Sequence, residues 1–171
     1  MRVMGVDPGK AGGLALIDTE LFTVAVCDMP VEAATKSRDL ASPTGLAQAV
    51  HACAPDYLFL EEVGSQPGEG AVGAFSFGRG FGRIEGVAAG ALVPVWLVRP
   101  QEWKRQLQVP ADKGRSVTRA KQLLPSASPA FHGPRGGTKD GRAEAALIAF
   151  YGCLKLQQVP NKPLVLVEFP A

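Results

Sequence analysis

The chain has 171 residues, 46% of them apolar and 20% charged, with a formal net charge of +2. This is enough chain for one domain with a proper core, and the composition excludes a disordered or low-complexity protein. Three scattered cysteines (Cys27, Cys53, Cys153) and two histidines (His51, His132) form no C-x-x-C pair and no histidine cluster, which excludes a disulfide scaffold and a zinc module. Asp7 interrupts the N-terminus, so no signal peptide is expected. The longest apolar run, residues 86–98, is too short to span a bilayer. A cytoplasmic protein with no membrane segment is expected.

Residues 2–6 form a short apolar strand that ends in Asp7-Pro8-Gly9. Residues 13–17 follow a glycine turn, and residues 21–28 make a third strand, so the chain opens as an antiparallel meander. At the end of a strand, Asp7 can emerge into a crevice; Asp-Pro-Gly is also an ordinary turn sequence. Residues 29–42 read as an exposed loop, and residues 44–54 as a helix with Leu46, Ala49 and Val50 inward. Residues 56–63 are apolar on both faces, the mark of a covered central strand. They end in Glu61 and Glu62. Side chains alternate along a strand, so only one of these acids can join Asp7.

A glycine-rich loop, residues 64–73, leads into a helix over residues 74–92. Its glycines at 78, 80, 82, 86 and 90 lower helix propensity but allow close packing of another helix or subunit, or of a phosphate backbone. Residues 94–99 are a strand, and residues 100–107 a helix with Trp103 and Leu107 inward. Residues 109–115 are a basic loop, and residues 116–124 a helix started by Ser116. Residues 125–138 are rich in Pro, Gly and Ser and read as a mobile connection. The next helix, about residues 140–157, carries Asp140 and Glu144 four positions apart, hence on one face. An apolar stripe of Ala143, Ala146, Leu147, Phe150 and Leu154 marks it as half-buried. Taken alone, Asp140 and Glu144 also read as a helix cap and a favourable first-turn charge. Residues 162–169 offer a final strand, so the expected organisation is one domain over 1–158 with an extension over 159–171. The predicted fold is α/β, a mixed five-stranded sheet (antiparallel meander plus parallel strands) flanked by helices.

Four carboxylates thus have matching placements: Asp7, one of Glu61 and Glu62, Asp140 and Glu144. Convergent acids with few histidines suit hard ions, Mg²⁺ or Mn²⁺, rather than zinc. Two such ions about 3.5–4 Å apart can activate water and stabilise the leaving oxygen of a phosphodiester. Without metal such acids repel one another, which makes a purely structural cluster unattractive. Seven Lys or Arg against two acids between Arg99 and Lys121 make a one-sided basic segment suited to a polyanion, or a solvated surface. Arg79 and Arg83 alternate with Phe75, Phe77 and Phe81, where cations can fix phosphates and an exposed aromatic, Phe77 being the candidate, can stack on a base. Lys104, Lys113 and Arg115 are candidate backbone contacts. Lys113 is also a candidate for stabilising a charged transition state.

The segments GVDPG, LEEV, VRPQEWKRQL and KDGRAEAALIAFYG resemble the RuvC-like Holliday junction resolvases of the ribonuclease H-like superfamily. SFGRGFG and DGRAEA look more like phage-type members than the cellular enzymes. The resemblance covers roughly residues 1–152. It implies a ribonuclease H-like fold, a homodimer that nicks a four-way DNA junction symmetrically, and Asp7, Glu61, Asp140 and Glu144 as metal-binding carboxylates. Glu61 is chosen over Glu62 because LEEV matches the family's strand-end acid. In the cellular enzymes the last two acids are usually Asp, three apart; here they are Asp and Glu, four apart. No nucleotide cofactor is expected: a sugar-kinase or actin-like ATPase would need two lobes, more than 171 residues supply. The remaining alternatives are a nuclease for RNA–DNA hybrids or flaps, and a non-catalytic nucleic-acid-binding module on the same fold.

Overall fold

The computed structural model describes residues 1–32, 40–64, 68, 70–110 and 114–170. In chain order the elements are β1 (Arg2–Asp7), β2 (Gly13–Asp18), β3 (Thr23–Asp28), β4 (Val31–Glu32), β5 (Leu40–Ala41), α1 (Pro43–Cys53), β6 (Tyr57–Glu61), α2 (Ala71–Gly90), β7 (Val95–Val98), α3 (Pro100–Gln106), α4 (Arg115–Leu123), a 3₁₀ helix (Pro125–Phe131), α5 (Asp140–Lys155) and β8 (Val165–Leu166). The sheet has the order β7-β6-β1-β2-β3-β8. β1, β2 and β3 pair antiparallel, whereas β6 and β7 continue from β1 in parallel. This is the expected mixed sheet of five strands. The tail adds a sixth, β8, which runs parallel to β3 over two residues.

Strand alternation divides the core into two layers. Val3, Ala15, Ile17 and Phe59 face α5, α4 and α3. Met4, Leu14, Leu16, Leu58 and Leu60 face α1 and α2. Apolar residues on both faces of β1, β2 and β6 are therefore explained by helices on both sides. No helix among the described residues is long and apolar enough to cross a membrane.

Three features differ from the sequence expectation. Within residues 29–42, read as a loop, β4 and β5 pair as a small hairpin. Residues 125–131, read as a connection, form the 3₁₀ helix, which buries Ala127 and Phe131. α5 is buried on most of its circumference, with Gly141, Ala143, Ala145–Ala149 and Tyr151–Cys153 inside, rather than half-buried. The reason is that α4 and the 3₁₀ helix cover the side of α5 that an amphipathic reading leaves to water.

α5 lies very close to the sheet because its contact residues are small. At Gly5, in the middle of β1, an added Cβ would collide with the Ala145 carbonyl and the Ala149 backbone. At Gly141, an added Cβ would collide with the Ala11 carbonyl and Gly12. The first turn of α5 thus rests on the β1–β2 turn, backbone on backbone. Asp28 on β3 holds the same end from the side: Arg142 Nε and Nη2 donate to its two oxygens at 2.8 and 2.9 Å, and Lys139 Nζ donates at 2.9 Å.

Candidate metal centre

β1 and β6 run side by side in parallel, with Val6 opposite Leu60. The next residue on each strand is an acid, Asp7 and Glu61. Asp7 shares its parity with Val3, and Glu61 with Phe59, so both project toward α5 from the carboxyl ends of adjacent strands. Glu62 has the opposite parity and is exposed; it accepts from Arg99 Nε at 3.4 Å, a surface pair of small energetic weight.

The third acid comes from α5. With its first turn seated on the β1–β2 turn, Glu144 faces the strand ends one turn further along the helix. Ligand oxygens of Asp7, Glu61 and Glu144 all lie within 4.8 Å of one another. Burial, then the charges of Glu144 and Glu61, push the Asp7 carboxyl up to about 8, against the pull of Lys104. Glu61 is raised as well, first by burial, with the Trp103 hydrogen bond working against it and Glu144 adding to it. Three carboxylates in so little water are unfavourable unless a proton or a cation joins them. A set of carboxylate oxygens alone fits a hard divalent cation. The residues that would hold it are Asp7, Glu61 and Glu144.

Three neighbours contact this cluster. Trp103 Nε1 donates to Glu61 Oε1 at 2.9 Å within the core. Ser116 Oγ donates to Glu144 Oε1 at 2.7 Å. Lys104 Nζ stands 3.4 Å from the same Glu144 oxygen and 5.0 Å from the centroid of the Trp103 ring. Sequence reasoning took Trp103 as a core residue and Ser116 as a helix starter, and assigned neither to the site. No local signal distinguishes a buried indole that bonds to a carboxylate from one that merely packs.

The other expected site residues fall in different places. Asp140 is exposed at the first position of α5 and is not part of the three-carboxylate group. It lies about 6 Å further back along the helix axis than Glu144. Its charge sits in the first turn, where it complements the helix dipole. Lys104, expected on phosphate, is drawn into the acidic cluster by Glu144. Arg83 pairs with Glu32 at 2.7 Å and donates to the Ala41 carbonyl at 2.8 Å, so it fastens the β4–β5 hairpin to α2. Phe77 is half-buried, whereas Phe75, two residues earlier, is 69% exposed. Arg79 and Arg115 are exposed on α2 and at the start of α4. Lys113 lies outside the described residues.

This arrangement sets an expected result for four substitutions. Glu61→Gln and Glu144→Gln should each lose about a hundredfold or more in divalent-metal affinity, the equivalent of roughly 2.8 kcal/mol. Glu62→Gln and Asp140→Asn should stay within about threefold of wild type. Mn²⁺ affinities of the four folded proteins decide it; equal losses at Glu61 and Glu62 would mean that strand parity does not select the ligand.

Neither a family model nor a curated protein matches the sequence. Solved structures do. RuvC from Thermus thermophilus superposes with a TM-score of 0.60 at 17% identity, covering 94% of this chain and 99% of that one. The same organism's RuvC in complex with a Holliday junction substrate gives 0.59 at 21% identity, covering 91% and 96%. The yeast mitochondrial Holliday junction resolvase gives 0.53 at 16% identity, covering 86% and 75%. Likeness over nearly the whole of both RuvC chains, at identities this low, is a likeness of architecture. The chain has the fold of RuvC, the ribonuclease H-like arrangement of a mixed sheet between helices that its motifs imply.

Proposed function

We propose that this chain is a metal-dependent endonuclease that nicks branched DNA, with the four-way junction as its substrate and a homodimer as its working form. The observation that carries this reading is the convergence of Asp7, Glu61 and Glu144 at the carboxyl ends of two parallel strands. The shared fold supports it, since the RuvC of Thermus thermophilus with that fold is seen in complex with a Holliday junction substrate. These carboxylates would hold Mg²⁺ or Mn²⁺, as two ions, which would supply water activation and stabilisation of the leaving oxygen.

The chain's own residues do the rest. Ser116 fixes Glu144 by a directed hydrogen bond, so this side chain needs no reorganisation at the moment of reaction. Lys104 places a positive charge beside Glu144, where it offsets repulsion among the acids and offers a partner to phosphate charge. Lys113 remains a proposed cation for the transition state, and Asp140 a carboxylate at the rim of the site. Arg79 and Arg115 supply exposed charge for phosphates. On α2, Val72 is 71% exposed and Phe75 69%, and the space beyond Gly78, Gly82 and Gly86 is open. That face suits a symmetric partner helix together with DNA.

The test pairs nicking of a labelled four-way junction in Mg²⁺ or Mn²⁺ with its gel shift in Ca²⁺, alongside linear duplex and RNA–DNA hybrid. Symmetric nicks in the junction, preferred over both other substrates, are expected. Equal cutting of the hybrid by a monomer in light scattering would favour the hybrid nuclease instead. Phe75→Ala should lower junction cleavage about tenfold, because stacking on a base contributes roughly 1–3 kcal/mol. Its melting temperature should hold, since the ring is mostly in water. Phe77→Ala should instead lower the melting temperature; a reversed pattern would return the stacking role to Phe77.

A further inference from the structure

Trp103 is completely buried, in the core layer that also contains Leu107, Val117 and Ala120. A buried indole must find an acceptor for its N–H. Here the acceptor is Glu61, inside a cluster of acids that repel one another. The face of the same ring carries the Lys104 ammonium, which reaches across to Glu144. We propose that Trp103 is a positioning residue for the carboxylate site, holding Glu61 through its indole N–H and Lys104 through its ring face. The inference rests on the reading of the site as a metal centre.

A glutamate has three rotatable side-chain bonds. Left unrestrained, Glu61 would turn from Asp7 and Glu144 toward the charge of Lys104, which already acts on it. The indole supplies a single directed donor and takes up Oε1. Oε2 receives no donor from the described residues, so it stays available to an ion. Tryptophan has no acceptor and no charge, so it can neither ligate the ion nor compete with it. Phenylalanine would keep a smaller apolar ring in the core but would leave the carboxylate free to turn.

The ring itself cannot swing. Besides its packing, the helix that bears it is fastened by the preceding residue. Glu102 accepts from Tyr151 Oη at 2.5 Å and pairs with Lys155 Nζ at 2.7 Å, both on α5. Three consecutive side chains of α3 therefore make three different attachments: Glu102 to the far half of α5, Trp103 to the end of β6, and Lys104 to the near half of α5. Outer groups that fix a metal ligand typically contribute 10–100-fold to metal affinity.

The experiment uses the full chain. The sequence has two tryptophans, so a Trp96→Phe background leaves Trp103 as the sole indole. Mn²⁺ affinity is read from free-ion electron paramagnetic resonance in wild type and Trp103→Phe. Trp103 emission is followed in the Trp96→Phe protein as Mg²⁺, which is not paramagnetic, is added. Expected are an approximately tenfold loss of Mn²⁺ affinity in Trp103→Phe and a saturable change in Trp103 emission with Mg²⁺. Unchanged Mn²⁺ affinity in folded Trp103→Phe overturns the inference and leaves the metal centre standing. If that variant does not fold, emission that stays constant while Mg²⁺ protects the protein from melting overturns it. Absence of Mn²⁺ binding by wild type overturns the metal centre and this inference together.

Discussion

Asp7→Asn protein is expected to bind a four-way junction at least as tightly as wild type and to cut it about a thousandfold more slowly. The substitution is nearly isosteric, so β1 and its neighbours should fold unchanged. It replaces a carboxylate by a neutral amide, a poorer ligand for a hard ion. Several kcal/mol of transition-state charge stabilisation depend on such an ion, and each 1.36 kcal/mol is tenfold in rate. Binding rests mainly on Lys and Arg contacts to phosphate. One acid fewer near that surface removes repulsion, so affinity should hold or rise. The paired measurement is nicking in Mg²⁺ or Mn²⁺ against a gel shift in Ca²⁺. Full cleavage by folded Asp7→Asn would sink the metal-nuclease reading, and loss of binding as well would make Asp7 a structural residue.

The same variant has a signature in stability. In the metal-free wild type the Asp7 carboxyl stands at about 8, above its ordinary 3.8, because burial and two neighbouring acids oppose its charge. Folding therefore holds a proton that the unfolded chain gives up. That contribution is full below pH 3.8 and lost as pH rises to about 8. Asparagine has no such titration. Metal-free Asp7→Asn should melt with wild type near pH 3.8 and above it at pH 8, and saturating Mg²⁺ should narrow the gap by stabilising wild type. Identical melting curves at pH 8 without metal would contradict a strained acidic cluster.

Gly5→Ala is expected to be strongly destabilising for a single added methyl group. Its Cβ would meet the Ala145 carbonyl and the Ala149 backbone, which cannot rotate away as a side chain can. α5 must then lift off β1. Overpacking of this kind costs typically 1–3 kcal/mol and occasionally more; about 3 kcal/mol lowers the melting temperature of a chain this size by roughly 6–12 °C. Lifting α5 also carries Glu144 away from Asp7, so metal affinity should fall along with stability. Gly80→Ala is the control: the space there is open, and a helical alanine gains up to about 1 kcal/mol over glycine. A Gly5→Ala protein as stable as wild type would mean that α5 does not rest on β1 as described.

The sequence by itself determined the order of the main strands and helices along the chain, the helices that flank the sheet, and the presence of an acid at the end of each of two strands. These follow from local periodicity: two-residue alternation on strands and three-to-four spacing on helices are written in consecutive positions. That only one of Glu61 and Glu62 could join Asp7 followed from the same rule, and the motif likeness pointed to Glu61. Tertiary structure alone decided which acid of α5 meets the strand ends. Asp140 and Glu144 share a helix face, but how far the helix slides along β1 depends on the glycine contacts at Gly5 and Gly141, residues distant in sequence. It decided also that Arg83 is consumed by the hairpin carrying Glu32, that Phe75 rather than Phe77 points into water, and that Lys104 turns inward. The bonds from Trp103 to Glu61 and from Ser116 to Glu144 span 42 and 28 residues. No local pattern encodes such pairs, because each depends on where two separately folded elements come to rest against each other.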